Sequence, residues 1–85
     1  MIHVSILSLK QTLYDGDAQG ITAPGTEGEF TILPSHVPFL SSLKKGVIMI
    51  HGKPQNTYIE VPKAGVCEFS ENRASILIEE GEKNI

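Results

Sequence analysis

Three histidines, one cysteine and two closely spaced glutamates are the side chains of this sequence best equipped for chemistry. His36 stands between Pro34 and Pro38. Those prolines fix φ and remove two amide donors, so His36 belongs neither to an interior helix turn nor to a central strand. Its ring either hydrogen-bonds locally and props a loop, or meets a partner. Metal binding and catalysis find little support. His3 and His51 lie at no ligand spacing, and no Cys-x-x-Cys or His-x-x-x-His pattern exists. Glu27 and Glu29 flank Gly28. Acid–base work needs two carboxylates pushed apart in pKa by different environments, and no nucleophile accompanies this pair. They read as solvated carboxylates or as charges offered to a partner. Pro24-Gly25-Thr26-Glu27-Gly28 lacks the Gly-Lys-Ser/Thr ending of a phosphate loop, and a carboxylate there repels phosphate. Cys67, within Val66-Cys67-Glu68-Phe69, reads as a small core residue rather than a nucleophile. Ser35 and His36 with Asp15 or Asp17 match a Ser-His-Asp set by residue type alone, a coincidence found in nearly any chain.

The elements that must position these residues are short and extended. Ile2, Val4 and Ile6 alternate with His3 and Ser5; Ile59 and Val61 alternate with Tyr58 and Glu60; Ala74, Ile76 and Ile78 alternate with Ser75, Leu77 and Glu79. Residues 47–50 are apolar on both faces. Turn residues bound these runs at Asp15-Gly16-Asp17, Pro24-Gly25, Lys45-Gly46, His51-Gly52-Lys53-Pro54, Pro62-Lys63 and Glu71-Asn72-Arg73. Turns every 8 to 12 residues or so favour a sandwich or barrel over βαβ units. No stretch offers three helical turns with one apolar face. The expected fold is all-β. The polar, acidic stretch 79–85 reads as a frayed end leaving the last strand.

Composition narrows the function classes. Eighty-five residues make one domain, spanning 1–85. A formal net charge of −3 with only seven basic residues argues against nucleic acid as a partner. No apolar run approaches the roughly 18 to 20 residues of a membrane-spanning helix, and His3 and Ser5 interrupt any signal-like start. A lone cysteine allows no intrachain disulfide. The expectation is a small soluble domain of the cytoplasm.

The punctuation between residues 24 and 40 carries more. Pro24-Gly25, Glu27-Gly28-Glu29-Phe30, Ile32-Leu33-Pro34, His36, Pro38 and Leu40 follow in order, with Leu43-Lys44 and Gly46 behind them. This run closely resembles the N-terminal domain of the epsilon subunit of bacterial-type rotary ATP synthases. Leu13-Tyr14-Asp15-Gly16 resembles that family's early aromatic-x-Gly turn, and Ala74-Ser75-Ile76-Leu77-Ile78-Glu79 its last strand. The resemblance covers roughly the whole chain.

It implies an antiparallel β-sandwich of about ten short strands in two sheets. It implies a non-catalytic foot of the central stalk that couples rotation to ATP synthesis, without a cofactor or small-molecule substrate. Two partners follow from the same resemblance. The gamma subunit would contact Ser8, His36, Val37, Pro38, Leu40 and Ser41, and the membrane rotor ring (c-ring) would face Thr26, Glu27, Gly28 and Glu29. The location implied is the cytoplasmic face of a bacterial inner membrane, peripheral to it within the complex. Family members usually continue into an inhibitory helical hairpin. This sequence stops at Ile85 with no helical segment, so coupling without that brake is expected.

Four departures from the family pattern concern local geometry. Ser35 stands where glycine is usual, so any positive φ there is strained. Thr31 replaces another glycine, Lys45 a proline, and Pro62-Lys63-Ala64-Gly65 a Ser-Gly-Gly group. Phe39 and Leu40 divide between core and contact surface in a way the sequence leaves open. The alternative function is a free-standing β-sandwich module binding a small ligand or protein, for which five aromatic residues and no tryptophan are little material. A small hydrolase is weaker still, with no paired nucleophile and base.

Overall fold

A computed structural model of the chain describes residues 1–80, and all of its regular elements are strands. The acidic end expected to fray lies mostly outside the described residues. Strand β1 is Ile2–Leu7, β2 Thr12–Ala18, β3 Gly20–Gly25, β4 Gly28–Ile32, β5 Phe39–His51, β6 Thr57–Ser70 and β7 Arg73–Glu79. They form one hydrogen-bonded sheet in the order β2-β1-β7-β6-β5-β3-β4.

That sheet cannot be flat. Strands β1 and β3 stand four places apart in the order, about 19 Å at the usual strand spacing of about 4.8 Å. Yet Val4 and Ile6 of β1 share one buried cluster with Ile21 and Ala23 of β3 and Ile32 of β4. Only a sheet folded over on itself brings both inner faces together. The fold-over runs through the two longest strands. The first half of β5, Phe39 to Lys44, pairs with the second half of β6, which pairs with β7; the second half of β5 pairs with the first half of β6 and with β3, whose Gly25 also reaches Leu43 across a register shift. Between the halves the register slips at Lys44/Gly46, and the inward phase of β5 passes from Leu43 to Ile48 and Ile50. Such an irregularity bends a strand sharply.

The result is a sandwich, with two differences from expectation. Seven strands in one continuous sheet replace about ten in two sheets, because β5 and β6 each serve both layers. The pairing is antiparallel except between β1 and β7, which run parallel with Leu7 opposite Leu77. Three expected turns also lie inside strands. Asp15-Gly16-Asp17 is within β2, where both aspartates alternate outward; Lys45-Gly46 and Pro62-Lys63 face each other at the register slip. A slip is a place where proline's missing donor costs the ladder least.

Inward positions alternate as the sequence suggests. Ile2, Val4, Ile6, Ala74, Ile76 and Ile78 are all buried, and no charged or polar side chain joins them among the described residues. Cys67 is buried with them, and burial pushes its thiol up to about 11. Its role is packing, since nucleophilic attack needs the thiolate.

Candidate functional site

The residues expected at the two contact surfaces lie on the β3–β4 hairpin and on the loop and strand that follow it, with Ser8 as the exception. Strands β3 and β4 make a tight hairpin, with Gly25 opposite Gly28 and Thr26-Glu27 as its turn. Gly28 has φ +130°, a region side chains avoid. Gly25 is required for a different reason. A Cβ there would sit 2.7 Å from the Gly28 carbonyl oxygen and 2.9 Å from the Phe30 ring. The Thr26 amide donates to the Ser42 carbonyl at 3.0 Å, tying the tip to β5. Thr26, Glu27, Gly28 and Glu29 are therefore exposed on a fixed hairpin.

Residues 33–38 form the loop beside it. The His36 amide donates to the Leu33 carbonyl at 3.1 Å, and the ring Nδ1 donates to the Val37 carbonyl at 2.8 Å. The ring stands edge-on to Phe39 and Phe69, with centroids 5.9 Å and 6.1 Å away. Phe39 in turn meets Phe30 of the hairpin at 4.8 Å. One aromatic cluster thus welds loop and hairpin into a unit. His36 remains exposed while it props the loop, so the local role is compatible with a contact role.

The division between Phe39 and Leu40 is settled by strand alternation. Phe39 packs against the core, whereas Leu40 is 71 % exposed. Val37 is 68 % exposed.

Ser35 adopts φ +68°. Its strain is held by the Asn72 side chain, whose Oδ1 accepts the Ser35 amide at 2.8 Å. Asn72 lies in the two-residue β6–β7 turn, where Glu71 and Asn72 also have positive φ. That is the type I′ geometry favoured in hairpins, which asparagine tolerates. Ser35→Gly is expected to raise stability by about 0.5–1 kcal/mol, by removing a left-handed cost of roughly 1–2 kcal/mol offset by glycine's greater entropy loss. A urea midpoint that moves upward at constant slope checks it; an unchanged or lower midpoint refutes it.

Ser8 is the exception. It follows β1, across the sheet from the His36 loop, and its hydroxyl is committed locally. The Oγ accepts the Lys10 and Gln11 amides at 3.1 Å and 3.2 Å and donates to Glu80 Oε1 at 3.0 Å. Beside Ser8 lies an apolar surface. On the outward face, Leu7 of β1 lies opposite Leu77 of β7, and Leu77 opposite Val66 of β6. All three are exposed, and Leu9 beside them is 97 % exposed. A shallow groove of about 300 Å³ is lined by Leu9, Ala64, Gly65, Val66, Leu77, Ile78 and Glu79. Reading the sequence for its inward phase misses this band. Its signal is present in Ile76-Leu77-Ile78 and Ile6-Leu7, where the outward position is apolar too.

Comparison with known proteins shows the family of the chain. The family described as ATP synthase, Delta/Epsilon chain, beta-sandwich domain matches residues 1–84. The chain belongs to this family. The ATP synthase epsilon chain of Leptospira borgpetersenii serovar Hardjo-bovis is 36% identical over 80 residues, covering 94% of this chain and 62% of that one. The corresponding chain of a Nitratiruptor species is 38% identical over 81 residues, covering 92% and 60%. The chain thus spans about three-fifths of the length of these delta/epsilon relatives. Among solved structures, a chain of the Euglena gracilis mitochondrial ATP synthase, OSCP/F1/c-ring, superposes with TM-score 0.82 at 15% identity, covering 91% of this chain and 49% of that one. A chain of the Tetrahymena thermophila mitochondrial ATP synthase central stalk/c-ring gives 0.75 at 18%, covering 91% and 62%. At such identities these two likenesses show a shared fold.

Proposed function

We propose that this chain acts as the foot of the central stalk in a rotary ATP synthase, docking the gamma subunit to the c-ring. The observation that carries this reading is the outward apolar band Val66, Leu77, Leu7 and Leu9, with exposed Leu40 diagonal to it opposite Glu68, beside a rigid acidic hairpin tip. A monomeric domain seldom leaves such a band bare, and exposed apolar surface marks a contact site. The gamma face comprises that band with His36, Val37, Pro38, Leu40 and Ser41, and Ser8 at its far margin. Thr26, Glu27, Gly28 and Glu29 face the c-ring, where two carboxylates set register and encounter rate with basic loops more than raw affinity.

The role is mechanical. Torque passes through the fold-over sheet, and the aromatic cluster keeps tip and loop in fixed relation. No catalytic step is assigned to the chain, and no cofactor or small-molecule substrate. The place of work is the cytoplasmic face of a bacterial inner membrane, reached through the complex. Among the described residues no helix is long and apolar enough to cross a membrane.

Co-expression with the gamma subunit of the same genome, followed by size-exclusion chromatography with light scattering, tests the reading. A one-to-one complex supports it. Two folded proteins eluting separately at high concentration would return the chain to the alternative of a free-standing binding module.

A further inference from the structure

We propose that His3 is held as a doubly protonated imidazolium between Asp15 and Asp17, and that it works as a proton-operated clamp on the edge strand β2. The argument begins with register. His3 of β1 lies opposite Asp17 of β2, and Asp15 is the next outward residue of β2. The ring reaches both. Nε2 is 2.7 Å from Asp15 Oδ1, and Nδ1 is 3.2 Å from Asp17 Oδ1. An ionised carboxylate only accepts, and a neutral imidazole carries a single N–H. Both contacts are satisfied together only when both ring nitrogens are protonated. The same arrangement leaves no ring nitrogen free to share a metal with the carboxylates, and no metal-holding cluster exists among the described residues.

The surroundings pull both ways, since the carboxylates favour the imidazolium and the Arg73 guanidinium opposes it. On β2 the facing charges are Asp15 and Asp17; on β1 the neighbouring outward residue is the neutral Ser5. From β7, Arg73 lies opposite His3, and the turn contributes Glu71 and the Asn72 carbonyl, which accepts the His3 amide at 2.9 Å. Ile2 and Val4 on either side point into the core and carry no charge. The hydrogen bond to Asp17, then that to Asp15, raise the His3 pKa above its ordinary 6.5.

Strand β2 is the element this device can move. It ends the sheet order, so among the described residues β1 is its only hydrogen-bonded neighbour strand. Its inward contribution is slight, with Leu13 and Tyr14 half-buried and Ala18 buried. Local opening is expected where buried apolar contact is sparse. The sign follows from the raised pKa. The clamp is fully closed below the ordinary histidine value and is lost as pH rises through the folded value. With His3 neutral, one carboxylate faces a ring lone pair and has lost its donor. While both carboxylates stay ionised, mild acid therefore holds β2 against β1, and alkali releases it.

Nitrogen-resolved NMR of the histidine rings, followed across neutral pH together with amide exchange of β2 corrected for intrinsic rates, tests the clamp. The His3 midpoint should lie above the ordinary histidine value, with both ring nitrogens protonated below it. The His3 midpoint should fall in the Asp15→Asn, Asp17→Asn double variant. Protection of β2 amides should drop as the wild type crosses its midpoint, while His3→Gln shows no such step. His3 is a surface residue, so these variants should fold, which far-ultraviolet circular dichroism verifies. A His3 midpoint at or below the ordinary histidine value, a midpoint unmoved by removing both carboxylates, or a β2 protection step that persists in His3→Gln would overturn the proposal.

Discussion

Leu77→Glu is expected to weaken binding to gamma at least tenfold to a hundredfold, about 1.4–2.8 kcal/mol, while the domain stays folded. Leu77 is central in the outward band, with Leu7 on one side and Val66 on the other. In the free domain its side chain is half exposed, and its outward neighbours on β7 are Ser75 and Glu79. A carboxylate there is well solvated, and stability should stay within about 0.5 kcal/mol of wild type. Once the band is covered, the same carboxylate must shed water without a partner, a penalty of several kilocalories that shared rim water partly relieves. Titration calorimetry against purified gamma measures the loss. Wild-type affinity in a folded variant would show that the partner surface lies elsewhere.

The largest effect on folding is expected at Phe69. This ring is 1 % exposed, lies opposite Phe39 in the β5–β6 ladder, and forms one wall against the His36 ring. Phe69→Ala removes a core aromatic and leaves a cavity, at a cost of about 3–5 kcal/mol. Small domains hold only about 5–15 kcal/mol in total. The variant should therefore sit near its unfolding midpoint in dilute urea, and the His36 loop should lose its ordered ring. Phe69→Leu keeps much of the volume and should cost clearly less. Equal, small losses for both would mean that the core closes over the gap and that the ring is not a wall.

The strands were legible where burial is one-sided. Ile2, Val4 and Ile6 and Ala74, Ile76 and Ile78 announce their inner face, because the residues alternating with them are polar save Leu77. The fold-over was not legible. Lys45-Gly46 and Pro62-Lys63 look like two turns, and nothing local says that they face each other inside two long strands. The parallel pairing of β1 with β7 is equally silent, since it joins residues some seventy positions apart. At the candidate site, the run from Pro24 to Leu40 gave the rigid hairpin and loop, and the Ser35 substitution pointed to the strain seen at φ +68°. Asn72, which holds that strain, became visible only with the β6–β7 turn in place. His3 with Asp15 and Asp17 likewise needed the β1–β2 register. Ser8 shows the opposite case, a residue read for contact whose hydroxyl is spent on its own turn.

Photo-crosslinking in the assembled complex tests the central claim most directly, with a reactive residue placed at position 77 in one preparation and at position 27 in another. The sheet-face probe should trap gamma, and the hairpin-tip probe should trap a c-ring subunit. Adducts exchanged between the two partners, or none with gamma from position 77, would contradict the assignment of this domain as the stalk's foot.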